Sequence, residues 1–340
     1  MTAFVLKLIA GVCMAIDHLG IVLSYRNPAF SGEEYLAFRA LGRVAFPLYC
    51  FLLVNGMEKT RSREKYLERM LLFTLLSQIP FSLALTHGNY MPGAAWGPLT
   101  LTLAREPRQL LLLGLAFALY AGGWACRPRK SWLYMGLCLA ASCLRVTAGN
   151  IILLEGRGLS VMVTLSLGLG AACLLDGLLT RKQAYRWYQY LCWAVALGIL
   201  GFVLLPEADY GLAGLVLILG LYLCRSSRFA QGAYVCLWSW WYFAVYFDYG
   251  FWVLLLFACC YGLCRKKVWL RGLVLGVFAL VSLLLGGGYS YGMNAYIICT
   301  ALAAVPLWLY DGRRGPGSRL GFYLVYPVHL LLLGLAGLLL

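Results

Sequence analysis

The chain has 340 residues, 62% of them hydrophobic and 12% charged, with a net charge of +15. Apolar runs of about 18 or more residues recur along its whole length, each long enough to cross a bilayer, which excludes a soluble globular core; the alternating pattern of a membrane β-barrel is also absent. Nor does the positive charge point to nucleic acid, because most Lys and Arg fall in short clusters between apolar runs, where they set topology.

The fold class is therefore all-α: a polytopic helical membrane bundle of about thirteen spans, within a range of about ten to thirteen, forming a single membrane domain over residues 1–340. The predicted spans are 4–24, 38–57, 67–86, 109–126, 131–149, 158–179, 187–205, 210–224, 229–247, 249–264, 268–286, 290–310 and 320–338. The first is read as a retained helix, since Met1–Ser24 is too long for a signal peptide and shows no small-residue cleavage site. With these spans the basic clusters 59–69, 127–130, 181–186, 225–228, 265–271 and 313–319 all fall in alternate loops. The positive-inside rule then puts them and the N-terminus in the cytoplasm and the C-terminus outside. The longest outer loop, 87–108, holds His87 and Trp96 and reads as a lid or a loose crossing.

Ionisable groups inside a span are expensive and point to function. The first span carries Lys7 and Asp17-His18. At about 100° per residue, Lys7 and His18 return to within roughly 20° of one face, about 16 Å apart along the axis. Histidine is the side chain best suited to move a proton near neutral pH. His18 is thus the candidate general base, with Asp17 beside it as a second catalytic candidate. Helix neighbours point about 100° apart, so Asp17 is expected to pair with an arginine of the next span, where Arg39 and Arg43 share a face. A salt bridge of Asp17 with Arg43, pinning the first helix to the second, is the structural alternative.

After Phe46-Pro47, Asn55 and Glu58 comes the basic run Lys59-Arg61-Arg63-Lys65-Arg69 with Tyr66. It suits either anionic lipid or the phosphates of a cofactor. Asp209-Tyr210-Gly211 opens an apolar helix, Asp248-Tyr249-Gly250 opens another and Tyr291-Gly292 a third, a repeat of about 40 residues in which each Asp is expected to cap the helix start. The aromatic run Trp238-Ser-Trp240-Trp241-Tyr242 reads as interfacial belt or core. In the last span Tyr326 lies close to the face of His329, and Pro327 frees the Tyr323 carbonyl. His329 is either a second site residue or a core histidine. The 13 cysteines are scattered through apolar segments without zinc-ligand spacing, and read as reduced packing residues with no metal site. Walker, Rossmann and nucleophile-elbow signatures are absent.

Ile16-Asp-His-Leu-Gly20, followed by Arg39-Ala-Leu-Gly-Arg-Val-Ala-Phe-Pro-Leu-Tyr-Cys-Phe51, resembles the TraX family of conjugal-pilin N-acetylases and their relatives. So do Thr60–Arg69, Ser77-Gln-Ile-Pro-Phe81, Asp209-Tyr-Gly211 and Phe322–His329. The likeness makes 1–86, 158–225 and 320–340 a TraX-like core, with 87–150 as inserted helices and 229–310 as an added hairpin repeat. Gln78 and Ser82 stand where the family commonly has acidic residues. That family is similar to a wider group of membrane-embedded acyltransferases, in which a basic residue, ten intervening residues and a histidine mark the first helix; Lys7 and His18 fit.

The resemblance implies an acetyltransferase of the bacterial cytoplasmic membrane that takes acetyl from cytoplasmic acetyl-CoA, without a metal. It implies His18 as general base, Lys7 on the CoA side, and Arg39, Arg43, His329, Tyr326 and Asp209 around the acceptor. The acceptor is a peptide, a glycan or a lipid-linked sugar, met at the outer face of the lipid bilayer. The rival reading is a proton-coupled transporter or flippase using Asp17, His18, Arg39 and Arg43 as a relay.

Overall fold

A computed structural model describes residues 1–85, 159–180, 187–205, 208–244, 257, 269–274, 276–277, 291–316 and 319–339. It consists of α1 (Ala3–Arg26), α2 (Gly32–Gly42), α3 (Ala45–Lys59), α4 (Arg63–Leu85), α5 (Val161–Thr180), α6 (Trp187–Leu204), α7 (Gly211–Leu223), α8 (Arg228–Ala244), α9 (Tyr291–Leu302), α10 (Ala304–Trp308) and α11 (Arg319–Leu339). Among the described residues there is no strand, only an isolated parallel bridge between Leu159 and Ala208. The protein is a helical membrane bundle: Ala3–Tyr25, Gly32–Lys59 and Val161–Thr180 are long and apolar enough to cross a bilayer, and shorter apolar helices accompany them. Spans 109–126, 131–149, 249–264 apart from Phe257, and most of 268–286 lie outside the described residues, as do the inserted region 87–150 with its loop 87–108 and the Asp248-Tyr249-Gly250 copy of the repeat.

Two spans expected as single helices are broken, both for one reason. The span at 38–57 divides into α2 and α3 at Arg43-Val44, and that at 290–310 divides into α9 and α10 at Ala303. A proline ring clashes with the carbonyl four residues earlier. Pro47 and Pro306 put that clash at Arg43 and Leu302. The N-terminus of α2 is fixed by a capping box, Ser31 accepting from the Glu34 amide while Glu34 accepts from the Ser31 amide.

α3 is buried nearly all round, which marks it as the axis of the bundle. α1 packs on α2, α3 and α11; α4 packs on α11 and α5; α7 packs on α3, α5 and α8. α1 presents a buried stripe at every fourth residue, Leu6, Ala10, Met14, His18 and Val22, while Leu8, Val12 and Leu19 are exposed on the lipid side. His18 therefore faces the bundle because the helix period carries it there.

α7 and α8 are joined by an unusual polar seam. Gln231, Tyr234 and Trp238 of α8 donate to the carbonyls of Leu221, Val216 and Ala213 at 3.0, 3.0 and 2.9 Å. Trp238 is fully buried, so the aromatic run is core at this residue. Gly220 lies against the Tyr234 ring, which would occupy the space of any Cβ there. Overfilling a packed site costs about 1–3 kcal/mol. Gly220→Ala is expected to lower the thermal midpoint of the detergent-solubilised protein, whereas Gly198→Ala on α6, with open space around it, leaves the midpoint unchanged or slightly raised. Equal midpoints for the two variants would contradict this packing.

Basic residues from separate clusters meet at the N-terminal end of α1. The Met1 amine donates to the Leu309 carbonyl at 2.6 Å, and the Ala3 amide to Arg313 at 2.9 Å. The Arg313 amide and guanidinium hold the Asp311 carboxyl below its usual range. Lys59 donates to the Tyr310 hydroxyl and the Gly312 carbonyl at 2.9 and 2.5 Å, Arg225 pairs with Glu58 at 3.3 Å, and Arg228 lies over the Tyr310 ring. The clusters at 59–69, 225–228 and 313–314 thus share one end, as the alternate-loop argument requires.

Candidate functional site

A cavity of about 700 Å³ runs between α1, α3, α4, α5 and α11. At the basic end it is rimmed by Lys59, Arg61, Lys65, Arg69 and Arg314. Further in it is lined by Lys7, Tyr66, Leu53 and Met70, and at the far end by Asp17, His18, Asp209, Tyr210 and Tyr326. Arg63 and Arg225 are neutralised by Asp176 and Glu58, whereas the five rim cations have no ion pair among the described residues. No group of three or more His, Cys, Asp or Glu able to hold a metal is found among the described residues.

At the far end α1 and α11 bring two histidines together. His18 Nδ1 and His329 Nε2 are 2.7 Å apart, and His329 Nδ1 is 2.8 Å from the Val325 carbonyl. The rings are within 4° of parallel with centroids 5.0 Å apart, so they meet edge to edge in one plane. The carbonyl fixes the tautomers. A carbonyl only accepts, so His329 carries its proton on Nδ1 and accepts at Nε2. His18 then donates from Nδ1, which leaves Nε2 of His18 with a free lone pair. Tyr326 sets its ring edge-on to both imidazoles and is itself buried.

Asp17 pairs with Arg39 at 2.6 Å and not with Arg43, and it does not contact His18. The two carboxylate partners considered from sequence therefore resolve in favour of Arg39. Gly42 lies directly against Asp17, so this approach of α2 to α1 requires a residue without a side chain. Arg43, at the proline break, instead donates from Nη1 to the Tyr210 hydroxyl at 2.7 Å. Its guanidinium lies over the rings of Tyr210, Phe243 and Tyr296, at 5.6, 5.9 and 5.4 Å from their centroids. Arg39, Arg43 and His329 thus stand behind the residues that line the cavity, covered by Asp17, Tyr210 and His18.

The expected capping by Asp209 is not observed. The cap residue of α7 is Tyr210, in the left-handed region at φ 62°, and no side chain caps the helix. Asp209 is fixed through its backbone, its amide donating to Leu159 at 2.9 Å and its carbonyl accepting from Thr164 Oγ1 at 2.7 Å. The bonds hold the main chain in a turn, and the residue lines the cavity.

Sequence reasoning missed Tyr210. Its signal in the sequence is Tyr-Gly before an apolar helix, which marks a turn that holds a side chain at a fixed angle. The basic run 59–69, which suits either anionic lipid or cofactor phosphates, contributes Lys59, Arg61, Lys65 and Arg69 to the same cavity as Lys7.

Residues 3–121 match the family model described as TraX protein. A stretch of 80 residues is 38% identical to the Probable fimbrial assembly protein FimC, serogroup H1, of Dichelobacter nodosus, covering 24% of this chain and 31% of that protein. The alignment thus spans less than a third of the relative's length. No solved structure matches the chain. The matched segment contains Lys7, Asp17, His18, Arg39, Arg43 and four of the five rim cations. Over residues 3–121, about a third of its length, the chain is thus similar to the TraX family.

Proposed function

We propose that the protein is a membrane-embedded acyltransferase that moves an acetyl group from acetyl-CoA, entering at the basic end, to an amine or hydroxyl acceptor at the far end of the cavity. The supporting observation is one cavity that joins five cations, none of them in an ion pair among the described residues, to the Nε2 lone pair of His18. The residues fit such a donor. Cations at the rim match phosphates, Leu53 and Met70 supply an apolar passage, and the passage ends at an imidazole. The donor supplies an activated acyl thioester.

His18 Nε2 takes the acceptor proton while His18 Nδ1–H stays bonded to His329. His329, held by the Val325 carbonyl, fixes the tautomer and shares the positive charge. It is a positioning residue. Lys7 lines the passage on the donor side. Asp17 and Arg39 fix α1 against α2 at the depth of His18. Under this reading the N-terminus and basic end face the cytoplasm, the bacterial cytoplasmic membrane is the location, and Asp209 meets the acceptor, whether peptide, glycan or lipid-linked sugar. A protein acceptor accords with the fimbrial-assembly name of the relative.

The test is release of free CoA thiol from acetyl-CoA by purified protein. A hydrogen bond to a charged group is worth about 1.5–3 kcal/mol, so losing one rim contact costs about tenfold or more. Lys65→Glu with Arg69→Glu is expected to raise KM for the donor at least tenfold while changing kcat by no more than about twofold. Added salt should raise KM in the unaltered protein in the same direction. Absence of both binding and turnover across several acyl-CoAs would overturn the reading.

A further inference from the structure

Tyr210 occupies a position that a bulky residue holds only under constraint. Its φ of 62° is in the left-handed region, unusual for any residue but glycine. The neighbours over-determine it. Asp209 is bonded on both sides of its peptide unit, to Leu159 and Thr164, and the Gly214 amide donates to the Tyr210 carbonyl at 2.9 Å. The ring is stacked on Phe46, with centroids 3.7 Å apart and planes within 6°. A phenol so fixed has one defined hydroxyl position, and the residue lines the cavity that holds His18.

The hydroxyl is polarised. Arg43 Nη1 donates to its oxygen at 2.7 Å, so the phenol proton is left to be given elsewhere, and among the described residues no acceptor takes it. Arg39 spends its charge on Asp17, whereas Arg43 has no carboxylate at ion-pair distance among the described residues, and its Nε is buried without a partner. A hydroxyl that accepts from a cation is a stronger donor in turn. Acyl transfer needs such a donor where negative charge builds on the carbonyl oxygen.

We infer that Tyr210 is this donor, a catalytic residue that hydrogen-bonds the acyl carbonyl oxygen, with Arg43 as its positioning residue; the inference rests on the acyltransferase reading above. His18 Nε2 removes the acceptor's proton as the acceptor's nitrogen or oxygen bonds to the acyl carbon. The Tyr210 O–H stabilises the charge that the carbonyl oxygen gains, keeping its own proton. The carbonyl re-forms as the carbon–sulfur bond breaks, and His18 Nε2–H returns the proton to the departing sulfur. His18 and Tyr210 end as they began.

Removing one such donor costs about 10²–10³ in kcat. Tyr210→Phe keeps the stacked ring and is expected to lose that much, with KM for the donor within about twofold. A second readout is independent of turnover. The carbonyl stretch of acetyl-CoA labelled with ¹³C at the carbonyl, bound to a His18→Ala protein, should lie at lower frequency with Tyr210 present than after Tyr210→Phe. Wild-type kcat together with an unshifted stretch in the Tyr210→Phe variants would overturn the role of Tyr210 while leaving the acyltransferase intact. Failure of the unaltered protein to bind the donor would overturn both. If Tyr210→Phe does not fold, 3-fluorotyrosine at 210 preserves ring and hydroxyl. Its more acidic phenol should raise kcat, and an unchanged kcat would count against the inference.

Discussion

Replacing His18 by alanine is expected to lower kcat by about 10²–10⁴, the range that general acid–base catalysis supplies, while donor binding is retained. His18 is 7% exposed and its only free ring nitrogen is Nε2, because Nδ1 is committed to His329. His329→Ala removes the partner that fixes the tautomer and is expected to lose less. His329→Gln, whose amide oxygen takes the same Nδ1–H bond, should keep more activity than His329→Ala. Groups that act as a unit are not additive, so His18→Ala with His329→Ala should be no slower than His18→Ala alone. Steady-state thiol release decides this. A His18→Ala enzyme within threefold of wild type would remove the imidazole from the chemistry, and additive losses would make the two histidines independent.

The second large effect is on stability. Asp17 and Arg39 form an ion pair that joins α1 to α2, with both side chains mostly shielded from solvent. Breaking such a pair from one side leaves an uncompensated charge and costs about 3–5 kcal/mol, whereas replacing both members with apolar residues is often neutral or better. Asp17→Ala is therefore expected to destabilise the detergent-solubilised protein by about that amount, through the stranded Arg39 guanidinium. Asp17→Ala combined with Arg39→Met should recover most of the loss. Chemical unfolding of the three proteins side by side gives the result. If the double variant is as unstable as the single one, the pair is not the source of the stability at this contact.

Much of this arrangement could be read before any coordinates. The helical class followed from apolar runs alone, since a bilayer leaves a helix few alternatives. The shared face of Lys7 and His18 followed from the helix period, and the gathering of basic clusters at one end from the alternation of loops. What could not be read depended on distance between elements. Arg39 and Arg43 lie on one face, and nothing local says which of them meets Asp17. The proline break at Arg43 turns that residue toward Tyr210, and a break's direction is set by packing. Similarly, Asp before a helix suggests a cap, but the left-handed Tyr210 displaces Asp209 from that position. The meeting of His18 with His329 spans nearly the whole chain, so the helix period showed only the nearness of Tyr326 to His329, and it was the family resemblance that put both histidines at one site.

The cations at the rim and the histidine at the far end are proposed to form one donor site. Titration calorimetry of acetyl-CoA into the protein in lipid nanodiscs tests it most directly, with His18→Ala and the Lys65→Glu, Arg69→Glu protein alongside. Binding to the unaltered protein and to His18→Ala is expected with closely similar affinity, and binding weakened at least tenfold by the rim substitutions. Equal heats for the rim variant and the unaltered protein, or no heat in any of them, would contradict it.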